Sequence, residues 1–464
     1  MVPVRLARMG KLWPLWAFLL GVGLALTLPP FPTGFLAPLA IAGLLALFKQ
    51  KPRFWAGFAA GCGLFALHLA WLPLSFTQNF GSWGWVPFLP LILLEAIPLG
   101  LLAGLLGKKP LALIGAWVLL DWVRSLGEFS FPWGYPGYAL VDSPGRILAA
   151  LGGIWLCSLV VLGTGYALAN KRWAWAVPWV LLWVLPLPPA NPQQTALLIQ
   201  GNIDPLKKVY GSEDLDAYHS LSVEAIRQHP EANLVIWPET AVGEVPQETL
   251  ELLGDRKLIA GLYGQNQNRA VLFTGERTWQ YAKVRLVPFG EFFPARGILQ
   301  PVYSFFFQSF GLPELQDIRP GKGFELLAEH GTYICYEGAY PQIARTMTKA
   351  GAAMLINISN DAWFGTTFGA RQHFQMGRMR AVENGRWLLR AGNSGITAAI
   401  DPYGRIVAEL PAHQAGFLAA PYSLSTRTTP FSWIGEWILL LALLLIALGL
   451  RAQTSPGSLD KPRP

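Results

Sequence analysis

Gly331-Thr-Tyr-Ile-Cys-Tyr-Glu-Gly338 places β-branched and aromatic residues directly before a glycine-bounded turn. The pattern predicts a short strand that ends at Cys335 and presents the thiol at its end. A lone cysteine is more often a small buried hydrophobe. Glu239 and Lys283, which lie at the ends of two other predicted strands, favour a functional interpretation. Together, a thiol, a carboxylate and an amine can act as nucleophile, base and oxyanion partner.

The composition is unlike that of soluble globular proteins, because 52% of the residues are hydrophobic and only 14% are charged. The excess lies in residues 1 to about 190 and 431–450. A bilayer core about 30 Å thick needs roughly 20 apolar residues per helix. Eight transmembrane segments are predicted, with the second, fifth and seventh the shortest: Leu12–Leu28, Gly34–Phe48, Phe54–Leu74, Trp85–Leu106, Leu111–Leu126, Ile147–Leu168, Trp173–Leu187 and Phe431–Leu450.

Basic residues lie on alternate connections between these segments, as the positive-inside rule requires. Lys49 and Lys51 follow the second segment and Lys171 and Arg172 follow the sixth, whereas residues 29–32 carry no basic side chain. This pattern predicts that both termini are cytoplasmic and that the polar domain is external. A signal peptide is the alternative for the first segment, but no small-residue cleavage site precedes residue 29.

The sequence therefore divides into four parts. Residues 1–190 form an N-terminal transmembrane bundle of about seven helices, residues 191–428 an external domain, residues 429–451 a C-terminal transmembrane helix and residues 452–464 a cytoplasmic tail. The net charge of +8 belongs mostly to the membrane part, because residues 191–428 contain 21 Lys and Arg against 22 Asp and Glu. No basic patch indicates a nucleic-acid partner. Cys62 and Cys157 fall in apolar segments, so Cys335 has no disulfide partner in its domain.

In the external domain, short β-rich runs alternate with polar helical stretches, which predicts an α/β layered fold. Glu239 follows the buried run 233–237, and Pro238 prevents the strand from continuing through it. A helix is expected at 373–390. The Phe-rich run 301–313 is expected to be a loop that dips into the bilayer surface, with a core segment as the alternative.

Taken alone, most candidate residues also have ordinary interpretations. A glutamate after a strand is usually solvated, and a lone lysine is usually on the surface. Glu95 and His68 lie in apolar segments and are either functional or packed inside the bundle with a hydrogen-bond partner. The outer loop with Trp133 is either an interface anchor or part of a lipid site. Scattered histidines and the lack of a phosphate loop predict neither a metal nor a cofactor.

The motifs taken together resemble those of the apolipoprotein N-acyltransferases, membrane enzymes with an external nitrilase-like domain. The resemblance covers nearly the whole chain and implies an αββα sandwich for that domain. The matching motifs are Trp237-Pro-Glu239, Lys283-Val-Arg-Leu-Val-Pro-Phe-Gly-Glu291, Cys335-Tyr-Glu337, Ser359-Asn-Asp-Ala-Trp-Phe-Gly365, Gln372-His-Phe-Gln-Met376 and Arg390-Ala-Gly-Asn-Ser-Gly-Ile-Thr397. The chain departs from the family between Glu239 and Lys283, where it is short, and at 429–433.

The resemblance implies that Glu239, Lys283 and Cys335 are catalytic, with support from Glu291, Glu337 and Tyr336. Trp237, Trp133, Arg124 and Trp363 are assigned to substrate binding. The implied reaction moves an acyl chain from a phospholipid, through a thioester on Cys335, to the N-terminal amine of an S-diacylglyceryl-cysteine apolipoprotein. No cofactor or metal takes part. The expected setting is the bacterial inner membrane, with the catalytic domain on the periplasmic side and the protein acting as a monomer.

Two other classes of protein remain open. A membrane-anchored amidase or nitrilase would use the same triad with water as acceptor, although a single anchor would suffice for it. A non-enzymatic lipid-binding or transport protein would explain the helical bundle but not the three catalytic motifs.

Overall fold

The computed structural model describes residues 10–50, 53–204, 212–310 and 317–451. The predicted cytoplasmic tail at 452–464 and residues 311–313 of the Phe-rich run lie outside these ranges.

The N-terminal part is helical, and each predicted apolar segment contains a helix. Its helices are α1 (Trp13–Leu26), α2 (Ala37–Gln50), α3 (Arg53–His68), α4 (Leu72–Phe80), α5 (Phe88–Leu106), α6 (Pro110–Val123), α7 (Ala149–Ala169) and α8 (Ala176–Val184). In the described residues, two helical stretches, Gly81–Leu106 and Pro144–Ala169, are long and apolar enough to cross a membrane, and five apolar helices are shorter. A bundle of eight transmembrane helices is therefore not confirmed.

Helix α7 is broken near its start, at Gly152 and Gly153. Gly153 has a φ of +68°, and a Cβ there would lie 2.5 Å from the ring of Phe431, so glycine is required for both backbone and packing. The helix restarts at Ile154, whose N–H donates to Glu383 Oε1 at 2.9 Å. A buried carboxylate from the outer domain thus caps a helix of the N-terminal part, which ties the two parts together.

The outer domain contains two sheets. Its strands are β1 (Gln194–Gln200), β2 (Leu234–Ile236), β3 (Lys257–Gly264), β4 (Gln267–Phe273), β5 (Thr278–Ala282), β6 (His330–Ile334), β7 (Met354–Ser359), β8 (Leu388–Gly392), β9 (Thr397–Ile400), β10 (Ile406–Leu410) and β11 (Gly416–Tyr422). Among the described residues, one sheet has the order β11-β1-β2-β3-β4-β5 and the other β10-β9-β8-β7-β6. The pairs β1-β2, β2-β3, β6-β7 and β7-β8 are parallel.

Helices α9 (Ser212–Gln228) and α10 (Gln247–Leu253) pack on the outer face of the first sheet, and helix α11 is Arg296–Phe310. Helices α12 (Pro341–Lys349) and α13 (Gly369–Asn384) pack on the outer face of the second sheet. Helix α14 (Pro430–Ile434) packs against α7 and α12, and α15 (Ile438–Arg451) packs against α6 of the helical part. Along β1, Ala196 and Leu198 face the core between the sheets, whereas Leu197 and Ile199 face α9. This period of two, with both faces buried, is what a central strand of an αββα sandwich requires. The predicted nitrilase-like sandwich is confirmed.

Two local predictions are wrong. The expected helix 373–390 ends at Asn384, because Gly385 adopts the left-handed conformation that terminates helices, and β8 begins at Leu388. The run 301–313 is not a loop over its described part. Residues 301–310 continue α11, with Pro301 inside the helix.

Trp237 lies in the hydrophobic core between the first sheet and α9, which is separate from the core between the two sheets. Its ring is fully buried, stacks on Tyr218 with ring centroids 5.4 Å apart and donates through Nε1 to Ser222 Oγ at 2.9 Å. The side chain points from β2 toward α9, because successive residues on a strand face opposite sides of the sheet. Contrary to the assignment from the sequence, Trp237 packs inside the domain and does not line a path for substrate.

We expect Trp237→Ala to destabilise the protein by about 3–5 kcal/mol through the cavity that it leaves. Trp237→Phe keeps most of the volume and loses one hydrogen bond, a loss of about 1 kcal/mol. Thermal unfolding of the detergent-solubilised protein measures both. Trp237→Phe is expected to leave the KM for substrates unchanged. A KM raised several-fold in a stable Trp237→Phe variant would return this residue to the substrate site.

Candidate active site

Cys335 lies directly after β6, at the start of a short 3₁₀ helix that runs from Cys335 to Ala339. Its φ is +50°, in the left-handed region that side chains rarely occupy. Such a conformation persists only where the surroundings hold it. As the sequence indicates, the chain turns sharply at this residue, and the side chain remains partly exposed.

Glu337 holds this turn against the segment that follows β5. Its Oε2 accepts the N–H of Ile334 at 2.7 Å, and its Oε1 accepts the N–H groups of Val284 and Arg285 at 2.9 and 3.0 Å. The hydroxyl of Tyr281 donates to the same Oε1 at 2.6 Å. Although burial raises the pKa of Glu337, these donors favour the ionised form. Glu337 therefore fixes the nucleophile turn relative to the backbone next to Lys283.

Glu239 is buried and lies just beyond the end of β2, as predicted. Its Oε2 accepts the backbone N–H of Asn360 at 2.7 Å. Its Oε1 accepts hydrogen bonds from Asn268 Nδ2 at 2.6 Å and Lys283 Nζ at 3.2 Å. Three donors from three segments of chain hold the carboxylate in one orientation.

Lys283 is 1% exposed and is paired with two carboxylates. Its Nζ lies 3.2 Å from Glu239 Oε1 and 2.8 Å from Glu291 Oε1. Burial alone would lower the pKa of Lys283, but the charges of Glu239 and Glu291 raise it well above its ordinary value. Glu291 is itself held by the N–H of Val287, 2.8 Å from Oε2. The ammonium is thus fixed and charged at neutral pH.

The electrostatics around the thiol keep it protonated at rest. Burial and the charge of Glu239 raise the pKa of Cys335 well above its usual range, and the nearby charge of Lys283 lowers it only in part. The thiol of Cys335 is therefore not ionised in the resting protein. It needs a base that takes its proton during the reaction.

A second polar cluster lies on the other side of Cys335. His373 Nε2 is 3.0 Å from the carbonyl oxygen of Cys335, and His373 Nδ1 is 3.1 Å from Asp361 Oδ1. Arg390 Nη2 lies 2.6 Å from Asp361 Oδ2. The ligand atoms of Cys335, Asp361 and His373 lie within 4.8 Å of one another, a spacing that could hold a metal. Arg390 already supplies a cation to this carboxylate and holds the pKa of Asp361 well below its usual range despite burial.

Tyr336 and Trp133 join the nucleophile turn to the N-terminal part. Their rings stack with centroids 5.8 Å apart, and the hydroxyl of Tyr336 donates to the carbonyl of Ser130 at 2.9 Å. Trp133 is 1% exposed and also stacks on Phe131, with centroids 5.1 Å apart. The indole of Trp133 therefore lies at the contact between the helical part and the outer domain, against Tyr336, the residue that follows Cys335.

Gln372 of α13 inserts its side chain into the N-terminal part. Its Oε1 accepts from the indole N–H groups of Trp71 and Trp133 at 2.9 and 3.1 Å. Its Nε2 donates to the carbonyl oxygens of Pro29 and His68 at 3.1 and 3.0 Å. His68 is thus buried and partnered, which accounts for an ionisable residue in an apolar helix.

Arg124 is not a free cation. Its Nη2 lies 2.6 Å from Glu95 Oε2 and donates to the carbonyl of Trp133 at 2.9 Å, while its Nη1 lies 3.5 Å from Asp121 Oδ1. These partners satisfy the guanidinium inside the helical part. The ion pair accounts for the presence of the Glu95 carboxylate in an apolar helix. Because its guanidinium is already paired inside the protein, Arg124 does not fit its assignment to substrate binding.

Trp363 and α11 provide the exposed apolar surface near the site. Trp363 is 37% exposed, and its carbonyl accepts from Ser75 of α4 at 2.7 Å. In α11, Phe307 packs with Phe293 and with Phe76 of α4. Ile298, Val302 and Phe305 are 83%, 60% and 72% exposed and recur at helical spacing along one face, which we call the exposed stripe of α11.

The sequence analysis assigned no role to four residues that hold the site together, namely Asn268, Asn360, Asp361 and Tyr281, although Asn360 and Asp361 lie in a matching motif. Asn268 lies buried in β4. A polar residue two positions before the apolar run 270–273, and so on the same strand face as Ala270 and Leu272, is the one signal that could have found it. The others contact the site through backbone groups or distant partners that the sequence does not pair.

The fold, with a buried carboxylate and a buried ammonium beside a thiol on a strained turn, defines a protein of the carbon-nitrogen hydrolase class. Residues 195–430 match the family model described as carbon-nitrogen hydrolase, and residues 20–167 match that of the apolipoprotein N-acyltransferase N-terminal domain. The chain belongs to the apolipoprotein N-acyltransferase family.

Similar proteins cover nearly the whole chain. An apolipoprotein N-acyltransferase of Pseudomonas putida is 32% identical, with 94% of this chain and 96% of that protein covered. One of Vibrio parahaemolyticus is 30% identical, with 91% and 94% covered. Among solved structures, Saccharomyces cerevisiae Nit3 of the nitrilase superfamily is 17% identical, with 57% of this chain and 97% of that chain covered and a TM-score of 0.36.

We expect Lys283→Met to destabilise the protein by about 3 kcal/mol, because the buried Glu239 and the partly buried Glu291 lose their shared cation. Adding Glu291→Gln should recover part of that loss, so that a double-mutant cycle gives a coupling of about 1 kcal/mol or more. Thermal unfolding of the four proteins measures it.

The exposed pair Arg227 and Glu224 is the matched control, because its N–O distance is also 2.8 Å while its side chains are 72% and 42% exposed. Its cycle should show no measurable coupling, since solvent and salt screen it. Equal couplings at the two pairs would contradict the importance of burial at Lys283.

Proposed function

We propose that this protein is a membrane-bound acyltransferase that moves an acyl chain from a phospholipid to the N-terminal amine of a diacylglyceryl apolipoprotein, through a thioester on Cys335. The observation that carries the proposal is the ion-pair network of the buried Glu239 and Lys283 with Glu291, beside a thiol on a strained turn. Membership of the apolipoprotein N-acyltransferase family supports the choice of acceptor.

In the first half-reaction, Cys335 attacks the ester carbonyl of the phospholipid. Glu239 takes the thiol proton as the bond between sulfur and carbon forms. Lys283 has three N–H donors, two of which point to Glu239 and Glu291 among the described residues, so the third is available for the oxyanion. The ester C–O bond then breaks, Glu239 returns the proton to the leaving oxygen, and a lysophospholipid departs.

In the second half-reaction, the amine of the apolipoprotein attacks the thioester. The ammonium first loses one proton to solvent. The neutral amine then attacks, Glu239 takes its second proton, and Lys283 again faces the oxyanion. The C–S bond breaks, the proton passes to the departing sulfur, and the product is an amide with the thiol restored. The raised pKa of Cys335 suits this step, because the sulfur ends the cycle protonated.

The proposed setting follows the sequence-based topology. Residues 191–428 lie outside the membrane, the helices of residues 1–190 and 429–451 anchor the domain, and both termini are cytoplasmic. The exposed stripe of α11 and Trp363 give acyl chains an apolar route from the outer leaflet to Cys335. Trp133 and Tyr336 form the wall behind the nucleophile. Arg124 and Trp237 are left out of the substrate site because both are enclosed by protein partners.

Intact mass spectrometry tests the chemistry. Incubation with a defined phospholipid and no acceptor should add one hydroxylamine-labile acyl chain to the wild type and to the control variant Cys62→Ala, and none to Cys335→Ala. A later addition of a diacylglyceryl peptide should remove the adduct and yield the triacylated peptide. Wild-type protein that leaves the lipid intact but hydrolyses small amides would instead indicate the amidase alternative.

Labelling with a membrane-impermeant maleimide tests the topology. In a variant without the three native cysteines, Glu276→Cys should react in intact spheroplasts, because this exposed residue lies in the proposed external domain. Lys108 is exposed on the connection between the fourth and fifth predicted segments, which the alternation of basic connections assigns to the cytoplasm, so Lys108→Cys should react only after the membrane is opened. The reverse pattern would contradict the proposed orientation.

A further inference from the structure

The acyl transfer proposed above makes no use of the cluster formed by Asp361, His373 and Arg390, although it touches the nucleophile. All three side chains are about 1% exposed. Burying three ionisable groups is costly unless they satisfy one another and a specific neighbour. The cluster contacts the backbone of the reacting residue through His373 Nε2, which lies 3.0 Å from the carbonyl oxygen of Cys335.

That carbonyl belongs to the residue with the strained backbone. Cys335 has a φ of +50°, and its side chain must face Glu239 and Lys283 for the thiol to react as proposed. Glu337 secures the strand side of the turn through the N–H of Ile334. On the other side of Cys335, His373 donates to the carbonyl of the nucleophile itself. A rotation of this peptide group would break the contact.

The imidazole is held in place from several directions. His373 Nδ1 lies 3.1 Å from Asp361 Oδ1, and Asp361 is itself held by Ser359 Oγ at 2.7 Å and by Arg390 Nη2 at 2.6 Å. The rings of Trp133 and Phe364 lie against the imidazole, with centroids 6.4 and 5.8 Å away. Asp361 thus orients His373, and His373 orients Cys335.

We propose that His373 is a positioning residue whose Nε2 clamps the Cys335 carbonyl and keeps the thiol aligned with Glu239 and Lys283 in both half-reactions. The clamp matters most after acylation, because the thioester must stay beside Lys283 while lysophospholipid leaves and the amine enters. The role in turnover rests on the proposed function, but the effect on thiol alignment does not.

Two substitutions separate the clamp from the contact with Asp361. In His373→Gln, the side-chain amide nitrogen reaches the position of Nε2 and keeps the donor to Cys335. In His373→Asn, the amide reaches only the position of Nδ1 and keeps the contact with Asp361. The clamp therefore predicts that His373→Gln keeps the reactivity of Cys335 and that His373→Asn loses it. A merely structural role through Asp361 predicts that His373→Asn keeps it and His373→Gln loses it.

The first readout is the rate at which iodoacetamide alkylates Cys335, followed by peptide mass spectrometry on the full-length protein in detergent. We expect His373→Asn to slow alkylation about 10-fold and acyl transfer about 100-fold in kcat, with KM changed less than about 2-fold, since misalignment near 1 Å has such costs. His373→Gln should stay within about 3-fold of wild type in both measurements, because the donor is kept.

Equal rates in all three proteins, or retention by Asn with loss by Gln, would overturn the proposal. If His373→Asn fails to fold by thermal unfolding, His373→Leu replaces it, since leucine removes the donor and fills the pocket beside Trp133 and Phe364. A wild type that forms no thioester from phospholipid, while alkylation still follows the order wild type, Gln, Asn, would refute the proposed function and leave the clamp standing. If the wild type forms the thioester but alkylation does not follow that order, the clamp is refuted and the proposed function stands.

Discussion

The site depends on the burial of one ammonium group. Lys283 is almost inaccessible to water, and an uncompensated charge there would cost several kcal/mol. Glu239 and Glu291 supply that compensation, and each is held in turn by backbone N–H groups of Asn360 and Val287. The same contacts that stabilise the cation therefore fix the geometry of the base. Removing the cation would leave the buried Glu239 and the partly buried Glu291 without a counter-charge, so stability and chemistry cannot be separated at this point of the fold.

The outer domain is not a separate body attached to an anchor. One hydrophobic core continues from the helical part into the space between the two sheets. Polar contacts follow the same route, because Gln372 enters the helical part and Glu383 caps the second half of α7. Tyr336, next to the nucleophile, stacks on Trp133. If the helical part moved relative to the sheets, the stacking of Trp133 on Tyr336 would therefore carry that movement to the residue next to Cys335.

The sequence predicted the features that depend on short-range patterns. The apolar run before Pro238 placed Glu239 at a strand end, and the glycine-bounded turn placed Cys335 at another. The αββα class followed from the resemblance together with the alternation of strands and helices. Features that depend on distant partners were missed. Arg124 looked free because Glu95, its partner, lies on another helix, and Trp237 looked available because the sequence does not show which face of β2 meets α9.

The surroundings of the triad bear on the choice between water and an amine as acceptor. A buried Glu, Lys and Cys set serves either, so the triad alone does not decide. On the side of the helical part, the walls behind the nucleophile turn are aromatic, formed by Trp133 and Phe131 together with Tyr336. Such walls favour apolar chains and offer few partners to an ordered water. In the proposed reaction, a thioester in this setting meets little water and waits for an amine that its own lipid chains deliver along the membrane. In this proposal, the position of the site at the membrane and the aromatic residues around it select the acceptor. The reactive groups themselves are those of a carbon-nitrogen hydrolase.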